Sequence, residues 1–307
     1  MKNILILIDY SEYSAKLWHY TLHLAKHFNA TVHATYIFHP EYLDLIHELA
    51  ILEEAEGDDQ YENFIWLYKK MEEERLEKFI GQLTPSELKS IPVEKEIIYG
   101  YPIIELLRMQ EEKPADLIVM GLHDSDLEDQ RSEISEALIN YGEIPLLLVP
   151  PTVKYHPIRH MMLPTENIQT EILSLDYLKD WSEHLKAKLF CYHLQTGISS
   201  TITNDIFSFN TLTHPRKNEQ LEITDDFSPK DDWIEHVENM TSILDTDILA
   251  LATHDSSDSD HAFEEECIRS FTHDLDIPLL IMKNSWLSSH IVSGHQQSIA
   301  GRISPSI

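Results

Sequence analysis

The chain has 307 residues, enough for one large domain or two of about 150, and its 42% apolar content implies a sizeable packed core. Its 53 acids against 23 bases give a formal charge of −30, which repels phosphate backbones and anionic lipid and so excludes nucleic acid and membrane surfaces as partners. No run approaches the roughly 18 uncharged apolar residues of a membrane span, and "MKNILILIDYSE" turns acidic after one short apolar stretch, unlike a secretory signal, so a cytoplasmic protein is expected.

"KNILILID" is an apolar run of strand length ending in Asp9, suited to a strand buried on both faces of a parallel sheet. A helix follows, with Ser11 as N-cap and Ala15, Trp18, Leu22 and Ala25 at helical spacing on one face. "ATVHATYIF" reads as the second strand, ended by His39-Pro40. Glu41 to Leu83 reads as a long acidic helical arm, about 41–85 overall, broken near Gly57-Asp58-Asp59. "PVEKEIIYG" alternates like a strand, Gly100 and Pro102 turn into a helix carrying Ile103, Ile104 and Leu107, and Ala115 to Met120 is another buried strand. A helix from about Leu127 to Tyr141 and the strand "IPLLLVP" complete five strands alternating with helices, the pattern of an open, mostly parallel sheet covered on both faces.

The second half repeats the first. "LAKHFNATVHA" at Leu24 to Ala34 returns as "WSEHLKAKLFC" at Trp181 to Cys191, offset by 157. "ADLIVMGLHD" returns as "TDILALATHD" with offset 131, and "EIPLLLV" as "DIPLLIM" with offset 133. The second copy is therefore shorter in its middle, where the polar stretch Gln195 to Glu219 replaces the acidic arm. The boundary is expected in "PTVKYHP", giving domains 1–152 and 153–284 and a flexible tail at 285–307, with Trp286 and Leu287 tacked onto the body.

The strand ending in Asp, the Ser-Glu helix start, "YGYP", "ADLIVMG" and a terminal "IPLLLVP", present twice, resemble the universal stress protein family in its tandem two-domain form. The resemblance implies an α/β fold of two Rossmann-like domains of the adenine nucleotide alpha hydrolase type, each with a five-stranded sheet. In the nucleotide-binding branch of that family a G-x2-G-x9-G-S/T loop after the fourth strand holds ATP, because glycine lets backbone amides approach phosphate. Here Gly121 and Ser135 match that pattern, while Asp124 and Ile134 stand at the second and third glycine positions. The carboxylate repels a triphosphate, and the β-branched residue closes the backbone conformations that the loop needs. In the second copy Ala252 and Asp255 replace the first two glycines, and the only glycine between Pro151 and Lys283 is Gly197.

The adenine side is better kept. Asp9 matches the family's first-strand Asp beside the adenosine, and Ile37 the second-strand position whose backbone meets adenine; Glu166 or Thr165 takes the Asp9 place in the second copy. Asp9 reads equally as a helix-start cap or a hydrogen-bonded loop acid. His123-Asp124 and His254-Asp255 recur beyond the carboxyl end of a central strand, where open α/β sheets bind ligands. They could supply a general base or metal ligands, but adjacent residues point opposite ways and inherited loop chemistry is the simpler reading. His19, His23 and His27 stand four apart on the first helix; pairs could chelate Zn or Ni, yet Lys16 and Lys26 oppose a cation and a solvated face is expected, with no metal. Cys191 and Cys267 fall in apolar periodic segments and read as buried thiols.

No nucleophile elbow, Walker loop or Cys-x2-Cys pair occurs, so no catalytic residue is assigned. The expected function is that of a non-enzymatic stress-response protein, regulatory or protective, working through contacts with other proteins, a homodimer among them. No resident cofactor is expected. The alternatives are an adenine-nucleotide binder or slow ATPase, taking ATP or AMP in the first domain only, and a metal-dependent hydrolase using the His-Asp pairs.

Overall fold

A computed structural model describes residues 1–38, 58–112, 115–121, 130–165, 171–195, 221–227, 233–253, 267–272 and 276–289. The chain divides into two compact units, Met1–Tyr155 and His156–Ile307.

The first unit runs β1 (Asn3–Leu7), α1 (Glu12–Phe28), β2 (Thr31–Phe38), α2 (Asp58–Leu83), β3 (Val93–Tyr99), α3 (Pro102–Glu112), β4 (Leu117–Gly121), α4 (Gln130–Tyr141) and β5 (Leu146–Val149). Its strands pair in parallel in the order β3-β2-β1-β4-β5. Residues Leu117 to Met120 and all of β5 are buried, and since neighbouring side chains on a strand point to opposite faces, both faces are covered. The apolar run alone predicts this. α1 starts where Ser11 accepts a hydrogen bond from the Ser14 amide at 3.0 Å, and it buries Trp18, Leu22 and Ala25. It ends at Asn29 in the left-handed conformation, a residue that tolerates it.

The second unit runs β6 (His160–Thr165), α5 (Ile172–Leu185), β7 (Lys188–Gln195), β8 (Leu221–Phe227), α6 (Trp233–Ile243), β9 (Ile248–Thr253) and β10 (Leu279–Lys283), with residues 267–272 and 284–289 also helical. The order β8-β7-β6-β9-β10, again parallel, is that of the first unit. The registers carry the repeat residue by residue. Ile4 pairs with Leu117 and Met161 with Ile248, so the sequence offsets of 157 and 131 are those of the ladders. Ile118 opposite Leu146 and Leu249 opposite Leu279 likewise carry the offset of 133.

The repeated Asp of "ADLIV" and "TDILA" has one task in both units. The Asp116 carboxylate accepts from the amides of Lys2 and Asn3, the latter at 2.9 Å, and the Asp247 carboxylate from those of Arg159 and His160 at 2.6 and 2.9 Å. Each clamps the start of the neighbouring first strand with charge-assisted bonds.

Two features depart from the sequence reading. β8, "LEITDDF", carries three acids and no apolar run; it lies at the outer edge of its sheet, where a strand need not be buried on both faces. The tail read as flexible from residue 285 is helical as far as residue 289, and Trp286 and Leu287, read as tacked onto the body, are buried. Two large apolar side chains had surface to bury and found it, and Ser174 donates to the Asn284 side chain at 3.1 Å. Residues 290–307 lie outside the described residues, as do the first arm of the acidic segment, Gly57 and the stretch 196–220. The second arm is α2, whose Leu76 is fully buried.

Candidate functional site

The connections run from β1 outward to β2 and β3, then return past β1 to β4 and β5, so the strand order reverses between β1 and β4. An open α/β sheet binds ligands in the crevice beyond the carboxyl ends of the strands at such a point. Asp9 follows β1 and Gly121 ends β4, so two of the sequence-selected residues flank it.

Asp9 is exposed, but its Oδ1 is engaged with the helix start. It accepts from the Ser11 amide at 2.9 Å, from the Ser11 hydroxyl at 2.5 Å and from the Ser14 hydroxyl, while the Asp9 amide donates to Ser14 Oγ at 3.0 Å. Asp9 is thus a hydrogen-bonded loop acid that braces the helix start, while the cap itself is Ser11. Tyr10, next in the chain, adopts a left-handed backbone with φ 60°, an outlier for an aromatic residue.

Gly121 has a different neighbour from the one its motif suggests. A Cβ placed on it would lie 2.0 Å from Cε1 of Tyr13 and 2.8 Å from its hydroxyl, so the ring of Tyr13 lies against the glycine backbone. The Tyr13 hydroxyl donates to the carbonyl of Val149, which pairs with Gly121 in the β4–β5 ladder. In the second unit the register puts Ala252 opposite Met282, and the Met282 carbonyl accepts from the Thr253 hydroxyl at 3.3 Å. Both units thus satisfy the equivalent carbonyl with a hydroxyl of their own. Sequence reading missed Tyr13, because nothing in "SEYS" marks a residue that reaches across to β4 and β5.

On the other side of β1, the β1–β2 ladder ends at Leu7 opposite Thr35, and Ile8 donates to the Thr35 carbonyl at 2.9 Å. Ile37, two residues on and paired with Ile98 of β3, presents its backbone toward the same edge beyond the end of β1. Tyr10 bridges from here to α2. Its ring lies 4.9 Å from that of Tyr36 and 5.4 Å from that of Phe79, its hydroxyl donates to the Glu72 carbonyl at 3.4 Å, and the Arg75 guanidinium sits 4.1 Å over its face. Phe38 extends the cluster to Tyr68 at 4.9 Å and Tyr99 at 5.3 Å. Glu72 is buried, with Arg75 3.4 Å from its carboxylate. Burial first, and then the Glu72 charge, push the phenols of Tyr10 and Tyr68 above the ordinary value; for Tyr36 burial leads, followed by Tyr68 and Glu72.

Of the remaining sequence-selected residues, Ile134 is buried in α4 and Ser135 is half-buried beside it. Ala252 lies in β9 at the place of Gly121, and Thr165 ends β6 at the place of Ile8, so the repeat register equates Asp9 with position 166. His123, Asp124, Glu166, His254 and Asp255 lie outside the described residues. Both cysteines are buried thiols, as expected. Among the described residues no group of three or more His, Cys, Asp or Glu could hold a metal ion, and no helix is long and apolar enough to cross a membrane.

The family model of the universal stress protein family matches residues 1–150. The first unit belongs to the universal stress protein family. Solved structures extend the likeness of fold over both units. A universal stress protein from Archaeoglobus fulgidus DSM 4304 superposes with a TM-score of 0.62 at 12% identity, covering 92% of this chain and 96% of that one. A putative universal stress protein from Pseudomonas aeruginosa UCBPP-PA14 gives 0.59 at 13%, covering 94% and 96%. A functionally unknown protein from Pseudomonas aeruginosa PAO1 gives 0.56 at 13%, covering 97% and 98%. At such identities the likeness is one of fold: tandem Rossmann-like α/β units with parallel sheets. A comparison with curated protein sequences found no match.

Proposed function

We propose that this tandem universal stress protein is a non-enzymatic stress-response protein acting through contacts with other proteins, with the phosphate-binding use of its strand-end loops given up. The observation that supports this is the ring of Tyr13 against Gly121. A glycine that cradles phosphate must leave its backbone face open, and here an aromatic ring occupies that face. Asp124 and Ile134 at the other glycine positions, and Ala252 and Asp255 in the second unit, argue in the same direction. The domains are read as 1–152 and 153–284, with the acidic arm inserted in the first, and a cytoplasmic location fits the strongly acidic chain.

A second reading has one specific observation behind it. Asp9 follows β1 at the strand-order reversal of the first unit, and the backbone edge of Ile37 lies on the other side of β1, beside the place where an adenosine would lie. Tyr10 and its contacts with α2 stand beside that place, so a nucleotide would have to displace them.

Titration calorimetry of the full chain with ATP and with AMP, each with and without Mg²⁺, separates the two. The expected result is no saturable heat at millimolar nucleotide. Micromolar ATP binding that disappears in Asp9→Ala, with helix content intact by circular dichroism, would overturn the proposal and establish the second reading. The circular dichroism control is needed because Asp9 holds Ser11, the cap of α1, and Ser14 by hydrogen bonds whose loss would weaken the helix start in its own right.

A further inference from the structure

Of the three histidines of α1, His27 lies on the solvated face that their spacing suggests, while His19 and His23 are partly covered. His19 and His23 are half-buried, their rings 4.5 Å apart, with the two Nε2 atoms 3.3 Å from each other. Tyr155, at the end of the first unit, stacks flat on His23 with ring centroids 4.2 Å apart and planes within 7°. Its hydroxyl meets Nε2 of His27 at 3.1 Å, and Tyr20 supports its ring edge-on at 5.4 Å. The result is a held pair, not two mobile side chains.

From this geometry we infer that His19 and His23 form a two-point site for a divalent transition-metal ion of the imidazole-preferring class, Ni²⁺, Cu²⁺ or Zn²⁺. Two nitrogens each about 2.0–2.1 Å from one metal, at an angle between square and tetrahedral, stand about 2.9–3.4 Å apart. The observed 3.3 Å, between the same ring atom of each histidine, falls in that interval. One turn of helix supplies the spacing, since residues four apart are neighbours on its surface. Borderline-soft imidazole favours these ions over Mg²⁺ or Ca²⁺. Water would complete the coordination, which suits a site on the surface.

The electrostatic surroundings cut both ways. Lys26 and His27 disfavour added positive charge at His23, while Glu87 lies close enough to favour it. Burial is the first cause holding His23 below its ordinary pKa, and a neutral imidazole is the form that ligates. Tyr155 acts as a positioning residue through the ring of His23.

The test is titration calorimetry of the untagged full chain with NiCl2, CuCl2 and ZnCl2, backed by the nitrogen hyperfine pattern of bound Cu²⁺ in electron paramagnetic resonance. The expected result is one saturable site with two imidazole nitrogens on Cu²⁺. His19→Gln and His23→Gln should each weaken binding by about 10²-fold, because each leaves one imidazole where two acted together. Tyr155→Ala should weaken it by about tenfold, as loss of an orienting neighbour does. Glutamine keeps helix propensity, so circular dichroism is expected to be unchanged. If both glutamine variants bind metal as the parent does, or the parent shows no saturable site, the close nitrogens are only an imidazole-to-imidazole hydrogen bond and the inference fails.

Discussion

Gly121 shows how one residue type can serve two physical ends. Its motif position marks a backbone that phosphate would approach, but in the fold the side chain of Tyr13 takes that approach and bonds the Val149 carbonyl. Gly121→Ala should therefore destabilise the protein by about 1–3 kcal/mol, the range for overpacking, since the new methyl would lie within bonding distance of an aromatic carbon. Pairing it with Tyr13→Ala should recover part of that loss. Denaturant unfolding of the two single variants and the double measures this, and simple additivity would mean that ring and glycine do not interact. Sequence could flag Gly121 as special because glycine has no Cβ, yet it could not name the neighbour. Tyr13 comes from a helix start far away in the chain, and only the folded sheet brings it there. The same holds for Asp9, whose carboxylate was legible as either cap or ligand contact, and whose three bonds to Ser11 and Ser14 are local.

At the scale of elements, the repeat gives matched helix ends with unmatched residues. α1 ends at Asn29 and α5 at Lys186, both left-handed, with φ 52° and 58°. Asparagine adopts that conformation readily; lysine is strained there by about 1–2 kcal/mol. Lys186→Gly should raise stability by about 0.5–1 kcal/mol once the extra freedom of glycine in the unfolded chain is subtracted. A lower denaturation midpoint in that variant would show that the Lys186 side chain contributes more than its backbone costs. α2 offers a second test, since its Tyr68 packs near Tyr36 of β2 and Tyr10 after β1, all three with phenols raised above the ordinary value. The folded state holds these protons more tightly than the unfolded chain does. The associated stability is thus fully present below about pH 10, the unfolded value, and is lost as pH rises beyond it. Ultraviolet titration should show these tyrosines ionising late and together with unfolding, whereas ionisation near pH 10 with the fold intact would contradict the packing of α2. That α2 would be helical was legible from its composition. That its Glu72, Arg75 and Phe79 would close on Tyr10 was not, because a face of an acidic helix carries no sign of which strand end it will meet.

Across the whole molecule, a formal charge of −30 sets a background repulsion that no single ion pair removes. Raising ionic strength from about 0.01 M to about 0.3 M shortens the screening length several-fold, and the melting temperature should rise by roughly 2–5 °C in calorimetry. A fall would mean that specific ion pairs, such as Arg108 with Glu105 and Glu112, outweigh the general repulsion. Sequence by itself determined the strands that are buried on both faces, the repeat and its offsets, and the first-helix cap, because burial and capping write local, periodic patterns into a chain. It left β8 unread because an edge strand is relieved of the requirement for apolar residues on both faces. Tertiary structure alone decided what occupies the strand ends, Tyr13 on Gly121 and Tyr10 under α2, and what covers the histidines of α1, Tyr155 on His23. Each is a contact between residues distant in the chain, and such contacts follow from how packed layers bring surfaces together, which no local pattern encodes.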